Sequence, residues 1–417
     1  MTTWAADPPP PNPKEPVNYV KWLNEGFARG VKDNAADLYQ EAVAAIGDKD
    51  LREGLPEEPD AKKWTAAERE TVQKRLEENA ACLDKFCAAA RKADCYFEMK
   101  SESGRILDVP LPELAPLRGI ARWLVVRAKL RLLGGDTDRA LDDLECVLRA
   151  GRHLQTQPVL LQYLVGVAID ALACDALLDA PGLSPKPMDC EHALQRLKDA
   201  DLAPRRMARQ VIVEKLCAWD NAQRYLRDTD GDGRYETLAL PKELADALQS
   251  PGKLDLAQTF DETIREIGDY FDRARKAVAA EDYAQAKPVL QTRAKELADK
   301  KGSLLSIVAP SLGPAVVIQN RVIAQYRGAR IVLRLHAYRA KQGHWPADLK
   351  EALSGEPPET ATDPFSGQPF VYRVKDDAPV LYSVGENGKD DGGEAFRKDG
   401  KVTWGETGDY VFWPRPQ

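Results

Sequence analysis

The stretch Asp228-Thr229-Asp230-Gly231-Asp232-Gly233-Arg234-Tyr235-Glu236 sets carboxylates at alternate positions around glycines. Calcium is a hard cation that takes about six to eight oxygens. Loops that hold it place acids at positions 1, 3 and 5 and a glycine at position 6, where the chain turns sharply. Asp228, Asp230, Asp232 and Gly233 meet that pattern. The bidentate glutamate of an EF-hand loop is missing, because Ala239 stands at position 12; Glu236, at position 9, is the substitute ligand. With fewer ligands the expected affinity is weak, of the ~10⁻⁴–10⁻³ M class found in extracellular modules. The same Asp and Gly residues also suit an ordinary surface turn that holds no ion.

Other catalytic and metal patterns do not stand out. The chain has no GxSxG, HExxH, Walker loop or GxGxxG after a strand. With 66 acidic residues spread over the sequence, no carboxylate pair is marked as a general acid and base. Cys82, Cys87, Cys95, Cys146, Cys174, Cys190 and Cys217 form no CxxC, and only four histidines accompany them, so the cysteines read as buried structural thiols. His344, in the turn before Trp345-Pro346, reads as a packing residue.

The 59 basic residues leave a net charge of -7, which gives no field to hold a phosphate backbone, so nucleic acid is not an expected partner. The most apolar run, Ser303 to Asn320, is interrupted by Pro310 and Pro314, and no transmembrane segment is expected. Asp7-Pro8-Pro9-Pro10-Pro11 reads as an extended tether like the start of a mature exported chain, or as a plain disordered tail. A periplasmic or secreted location follows from the first; seven reduced thiols suit the cytoplasm, the alternative.

The positioning elements are helices. After a Pro-rich tail at 1–16, helical runs fill 17–317, with a sub-boundary near 182–187 and the calcium-type loop at 228–236. Thr65 followed by Glu68 is a capping box. Leu117, Ile120, Leu124, Ala128 and Leu132 share one helix face up to Gly134-Gly135. Asp136 then caps a second helix with the stripe Ala140, Leu144, Val147 and Leu148, which Gly151 is expected to close. This hairpin is similar to one tetratricopeptide-like repeat, without a sustained period. Val159 to Asp179 reads as a core helix whose Asp170, Asp175 and Asp179 form a solvated edge. The fold class is therefore mainly α: an irregular helical-hairpin array or bundle, followed by a small C-terminal α/β domain at 318–417.

That C-terminal region carries a long helix, Ile318 to Gln342, ending in Gly343-His344-Trp345-Pro346. Asp363-Pro364-Phe365-Ser366-Gly367-Gln368-Pro369 follows, then a strand containing Leu381-Tyr382-Ser383-Val384-Gly385 and the acidic glycine-rich loop Glu386 to Glu394. This order resembles the globular head of the major pseudopilin of type II secretion. The resemblance implies that the acidic loop binds calcium, with Ser383, Asp390, Asp391 and Asp409 as the matching ligands. The family's leader and long apolar membrane helix have no counterpart here, so the head is expected to be a stand-alone module rather than a filament subunit. The expected function is a non-catalytic interaction or scaffold protein, exported and calcium-stabilised, that binds a protein or polymer partner. The alternative is a hydrolase or lyase on an all-α scaffold with carboxylate acid/base chemistry.

Overall fold

The computed structural model describes residues 8–47, 49–227, 236–237, 259–280, 282–299, 312–399 and 401–415. Helices begin where short polar side chains satisfy the free amides of a first turn. Asn18 accepts the Lys21 amide at 2.9 Å and opens α1 (Tyr19–Ala28). After α2 (Ala36–Ala44), Thr65 and Glu68 form the expected reciprocal box at the start of α3 (Ala66–Glu78), which runs almost directly into α4 (Ala80–Ala90). The hairpin is α5 (Leu114–Leu133) and α6 (Thr137–Gln155), turned at Gly135 with a φ of 78° and capped by Asp136.

Gly151 does not close α6. The helix continues to Gln155, and the glycine serves a crossing: a Cβ there would lie 1.9 Å from Asp170 Oδ1 and 2.9 Å from the Gly166 carbonyl of α7 (Leu160–Leu183). Two glycines in register let the α6 and α7 backbones meet, since anything larger would force them apart. By length and hydropathy α7 could cross a membrane; in this structure it is the helix around which α5, α6 and α12 (Leu312–Gln342) pack. Two further helices follow, α8 (Cys190–Asp199) and α9 (Ala208–Tyr225), separated by a turn in which Asp201 has a φ of 46° and Pro204 has no amide to donate. α10 (Phe260–Val278) and α11 (Tyr283–Asp299) complete the helical array.

α12 begins at Leu312, so the expected boundary at 317/318 falls inside one 31-residue helix that serves both parts of the chain. After a short ladder of β1 (Leu226–Arg227) and β2 (Glu236–Thr237), and beyond α13 (Leu349–Ala352), lies a three-stranded antiparallel sheet in the order β3-β4-β7, from β3 (Val371–Lys375), β4 (Ala378–Ser383) and β7 (Tyr410–Trp413), with β5 (Arg397–Lys398) and β6 (Lys401–Val402) paired separately. Phe412 of β7 lies on Gly328 of α12, and one continuous apolar core runs from Ala35 through the helices to Phe412. The chain is thus mainly helical with a small C-terminal sheet. All seven cysteines are buried free thiols within it.

Candidate functional site

Asp228, Asp230 and Asp232 of the calcium-type loop lie outside the described residues. Its flanks are described: Leu226–Arg227 (β1) and Glu236–Thr237 (β2) pair antiparallel, with Glu236 opposite Arg227. Glu236 is therefore a strand residue in a two-residue ladder with Leu226–Arg227.

The C-terminal candidates fall into three arrangements. Ser383, at the end of β4, donates its hydroxyl to Asp363 Oδ1 at 2.9 Å and accepts the Gly385 amide at 3.1 Å. Asp363 is buried and also accepts the amides of Phe365 (2.9 Å) and Val384 (3.0 Å). Burial pushes its carboxyl above the usual range, and the three donors oppose that. The Asp-Pro-Phe segment is in turn a fastening. The Tyr283 amide donates to the Pro364 carbonyl, and the Phe365 ring stands edge-on to Tyr283 and Tyr410 at 5.7 and 5.2 Å.

Asp390 faces another way. It accepts the Tyr382 hydroxyl at 2.7 Å, the Gly392 amide at 2.9 Å and Arg373 Nη2 at 2.8 Å. Those hydrogen bonds, the tyrosine first, hold its carboxyl below the usual range.

Asp391 and Asp409 are brought together and stitch two loops. Asp409, buried, accepts the amides of Asp391 (3.3 Å) and Gly393 (2.7 Å), while Asp391 Oδ2 accepts Asn387 Nδ2 (2.8 Å) and the Gly408 amide (3.2 Å). Gly393 and Gly408 have φ of 88° and 78°, the left-handed geometry that turns their amides onto these carboxylates. Burial raises the Asp409 carboxyl, with the two amides opposing. As placed, both carboxylate oxygens of Asp363, Asp390 and Asp409 and Oδ2 of Asp391 accept hydrogen bonds from the protein itself. Among the described residues no three Asp, Glu, His or Cys side chains converge as a metal site. The structure brings Asp391 and Asp409 together, with Asp390 close enough to bear on Asp409 electrostatically, while Ser383 is engaged with Asp363.

The most unusual polar chemistry lies where the sequence reading expected none. Asp170 is not on a solvated edge: it is fully buried at the α6–α7 crossing, with Gln155 Nε2 donating to Oδ2 at 2.5 Å and Oδ1 lacking a partner. Burial pushes its carboxyl up to about 7, with Arg152 and Gln155 opposing. All three guanidinium nitrogens of Arg152 are buried without a hydrogen-bond partner, and burial lowers its basicity. The readable signal was an aspartate flanked on both sides by apolar runs, Val167-Ala168-Ile169 and Ala171-Leu172-Ala173. Asp175 and Asp179 hold Arg415 from the C-terminal segment at 3.0 and 3.2 Å, fastening it back onto α7.

A second missed feature is Asp143, buried between Arg127 and Arg131, whose nitrogens reach it at 2.6 Å each. Arg127 and Arg131 stand one turn apart on α5, so both forks reach one carboxylate of α6. A surface cleft of about 480 Å³ between α1 and the 98–104 segment carries Glu25 and Glu98 beside Lys21 and Lys100.

Compared with family models, curated proteins and solved structures, the chain matches none.

Proposed function

We propose that this is a non-catalytic interaction or scaffold protein, in which a helical array and a pseudopilin-like head present a common surface to a protein or polymer partner. The observation that carries the reading is the continuity of α12. The helix packs against α7 and α8 and bears the sheet at Gly328, so the head is built onto the array through a shared core. A shared rigid helix keeps two binding faces in fixed relation, which lowers the ordering cost of engaging an extended partner. Calcium belongs to this reading as a stabilising ligand of the 228–236 loop, with export as the setting that supplies it. The C-terminal loop is held by its own donors.

The buried, proton-holding carboxyl of Asp170 favours a second reading, a hydrolase or lyase on the helical scaffold. Two experiments separate these. Thermal melts with and without chelator, repeated on Asp230→Ala and Asp391→Ala, are expected to show a calcium-dependent rise that Asp230→Ala removes and Asp391→Ala keeps. An unchanged melting temperature removes calcium from the reading. Turnover of an ester or glycoside panel that vanishes in Asp170→Asn would replace the scaffold reading with the enzymatic one.

A further inference from the structure

Three arginines, Arg52, Arg118 and Arg122, are brought to one stretch of the outer face of α5. Arg118 and Arg122 stand one turn apart on the same side of the helix. Between them is Gly119, and the loop bearing Arg52 sits down on it: a Cβ at Gly119 would lie 2.7 Å from Leu51 Cδ1, and Trp123 Nε1 donates to the Leu51 carbonyl at 2.9 Å. The chain next to Arg52 is therefore fixed against α5 from below and from the side.

The nearby acids of that loop are otherwise engaged. Glu53 pairs with Arg75; Asp50 stays beside Arg52 but spends one carboxylate oxygen on the Arg52 backbone amide, at 2.8 Å, and makes no ion pair with its guanidinium. Among the described residues none of the three guanidiniums has an ion pair or hydrogen bond of its own, although most of the ion pairs in this acidic chain use arginine. Arg122, half-buried, feels the other two directly: burial first, then Arg118, then Arg52, hold its guanidinium below the usual arginine range.

From this geometry we infer a binding site for a phosphoryl group at Arg52, Arg118 and Arg122. A single carboxylate brings one charge and two oxygens, which one guanidinium fork saturates. A phosphate ester or diphosphate brings about two charges and three or more oxygens, enough to engage forks from several directions. The site lies on the face of α5 opposite the Asp143 clamp and uses no residue of the C-terminal loops. It is therefore independent of the function proposed above.

The test is titration calorimetry of the full chain with inorganic pyrophosphate, with citrate as a polycarboxylate comparator. The wild type is compared with Arg122→Ala, Arg118→Ala and Arg122→Lys, after circular dichroism has shown each variant folded. Saturable pyrophosphate binding is expected, weakening with added salt and falling about tenfold in each alanine variant, with a smaller loss for Arg122→Lys, which keeps the charge without the fork. Flotation with phosphatidylcholine vesicles, with and without phosphatidic acid, then assigns the source. Capture by phosphatidic acid that Arg122→Ala abolishes supports the site with a lipid headgroup as its ligand; pyrophosphate binding without capture supports it with a soluble phosphate ester. Absence of saturable binding, equal affinity in wild type and alanine variants, or tighter binding of citrate than of pyrophosphate overturns the inference.

Discussion

The hydroxyl of Ser383 donates to the buried carboxylate of Asp363 at 2.9 Å, joining the end of β4 to the Asp-Pro-Phe segment twenty residues earlier. Asp363 is the acceptor for three donors, so its removal strands a hydroxyl and two amides in the interior. Asp363→Ala is expected to cost about 3 kcal/mol and Ser383→Ala about 1 kcal/mol, by urea denaturation. Equal losses for the two variants would show that Asp363 is not the centre of this knot.

Phe412 and Gly328 make the contact that seats the sheet on α12, with the built Cβ only 2.7 Å from Phe412 Cγ. Gly328→Ala should overpack this contact and cost about 1–3 kcal/mol, and Phe412→Leu in the same chain should return part of the loss. Strict additivity of the two substitutions would mean that the rings and helix do not meet there.

Asp143 holds the facing charges of α5 and α6 together. Removing the carboxylate leaves two guanidiniums partly buried without it, so Asp143→Ala is expected to lose about 3–5 kcal/mol. The triple replacement Asp143→Leu, Arg127→Met and Arg131→Leu should lose much less, because no uncompensated charge remains. A triple variant as unstable as Asp143→Ala would contradict this.

His153 gives stability an acid limb. Its Nε2 faces the Lys92 carbonyl at 3.2 Å, an acceptor only, so that nitrogen carries the proton and Nδ1 accepts the Tyr39 hydroxyl at 3.0 Å. Burial pushes the imidazole down to about 4 from 6.5. The unfolded chain takes up the proton first. Stability is therefore full above pH 6.5 and falls as the pH drops toward 4, by about 3 kcal/mol in all.

Asp170 acts with the opposite sign. Its carboxyl is raised from 3.8 to about 7, so the folded chain keeps a proton that the unfolded chain releases. That contribution is complete below pH 3.8 and is lost as the pH rises through 7. Denaturation midpoints between pH 4 and 7 should show a shallower acid limb in His153→Gln, and in Asp170→Asn should lose the component that weakens the fold as the pH rises. Unaltered profiles in both variants would disprove these assignments.

The sequence by itself determined the local elements. Capping residues are read by the chain within a few positions, so the Thr65–Glu68 box, the Asp136 cap and the α5–α6 hairpin follow from spacing alone. The β-prone run containing Leu381-Tyr382-Ser383-Val384-Gly385 likewise marked a strand, which ends at Ser383 in the structure. Partners far apart in the chain were decided only by tertiary structure. Gly151 looks like a helix stop until Gly166 and Asp170 arrive against it, and Asp175 has no visible ion-pair partner until Arg415 returns 240 positions later. The acidic candidates show the same limit. Asp390 and Asp391 are neighbours in sequence, yet one turns to Arg373 and Tyr382 and the other to Asn387 and Gly408. Residue type fixes which donors and acceptors a segment carries. Which of them meet depends on the packing of distant helices and strands, a property of the whole chain that no local window contains.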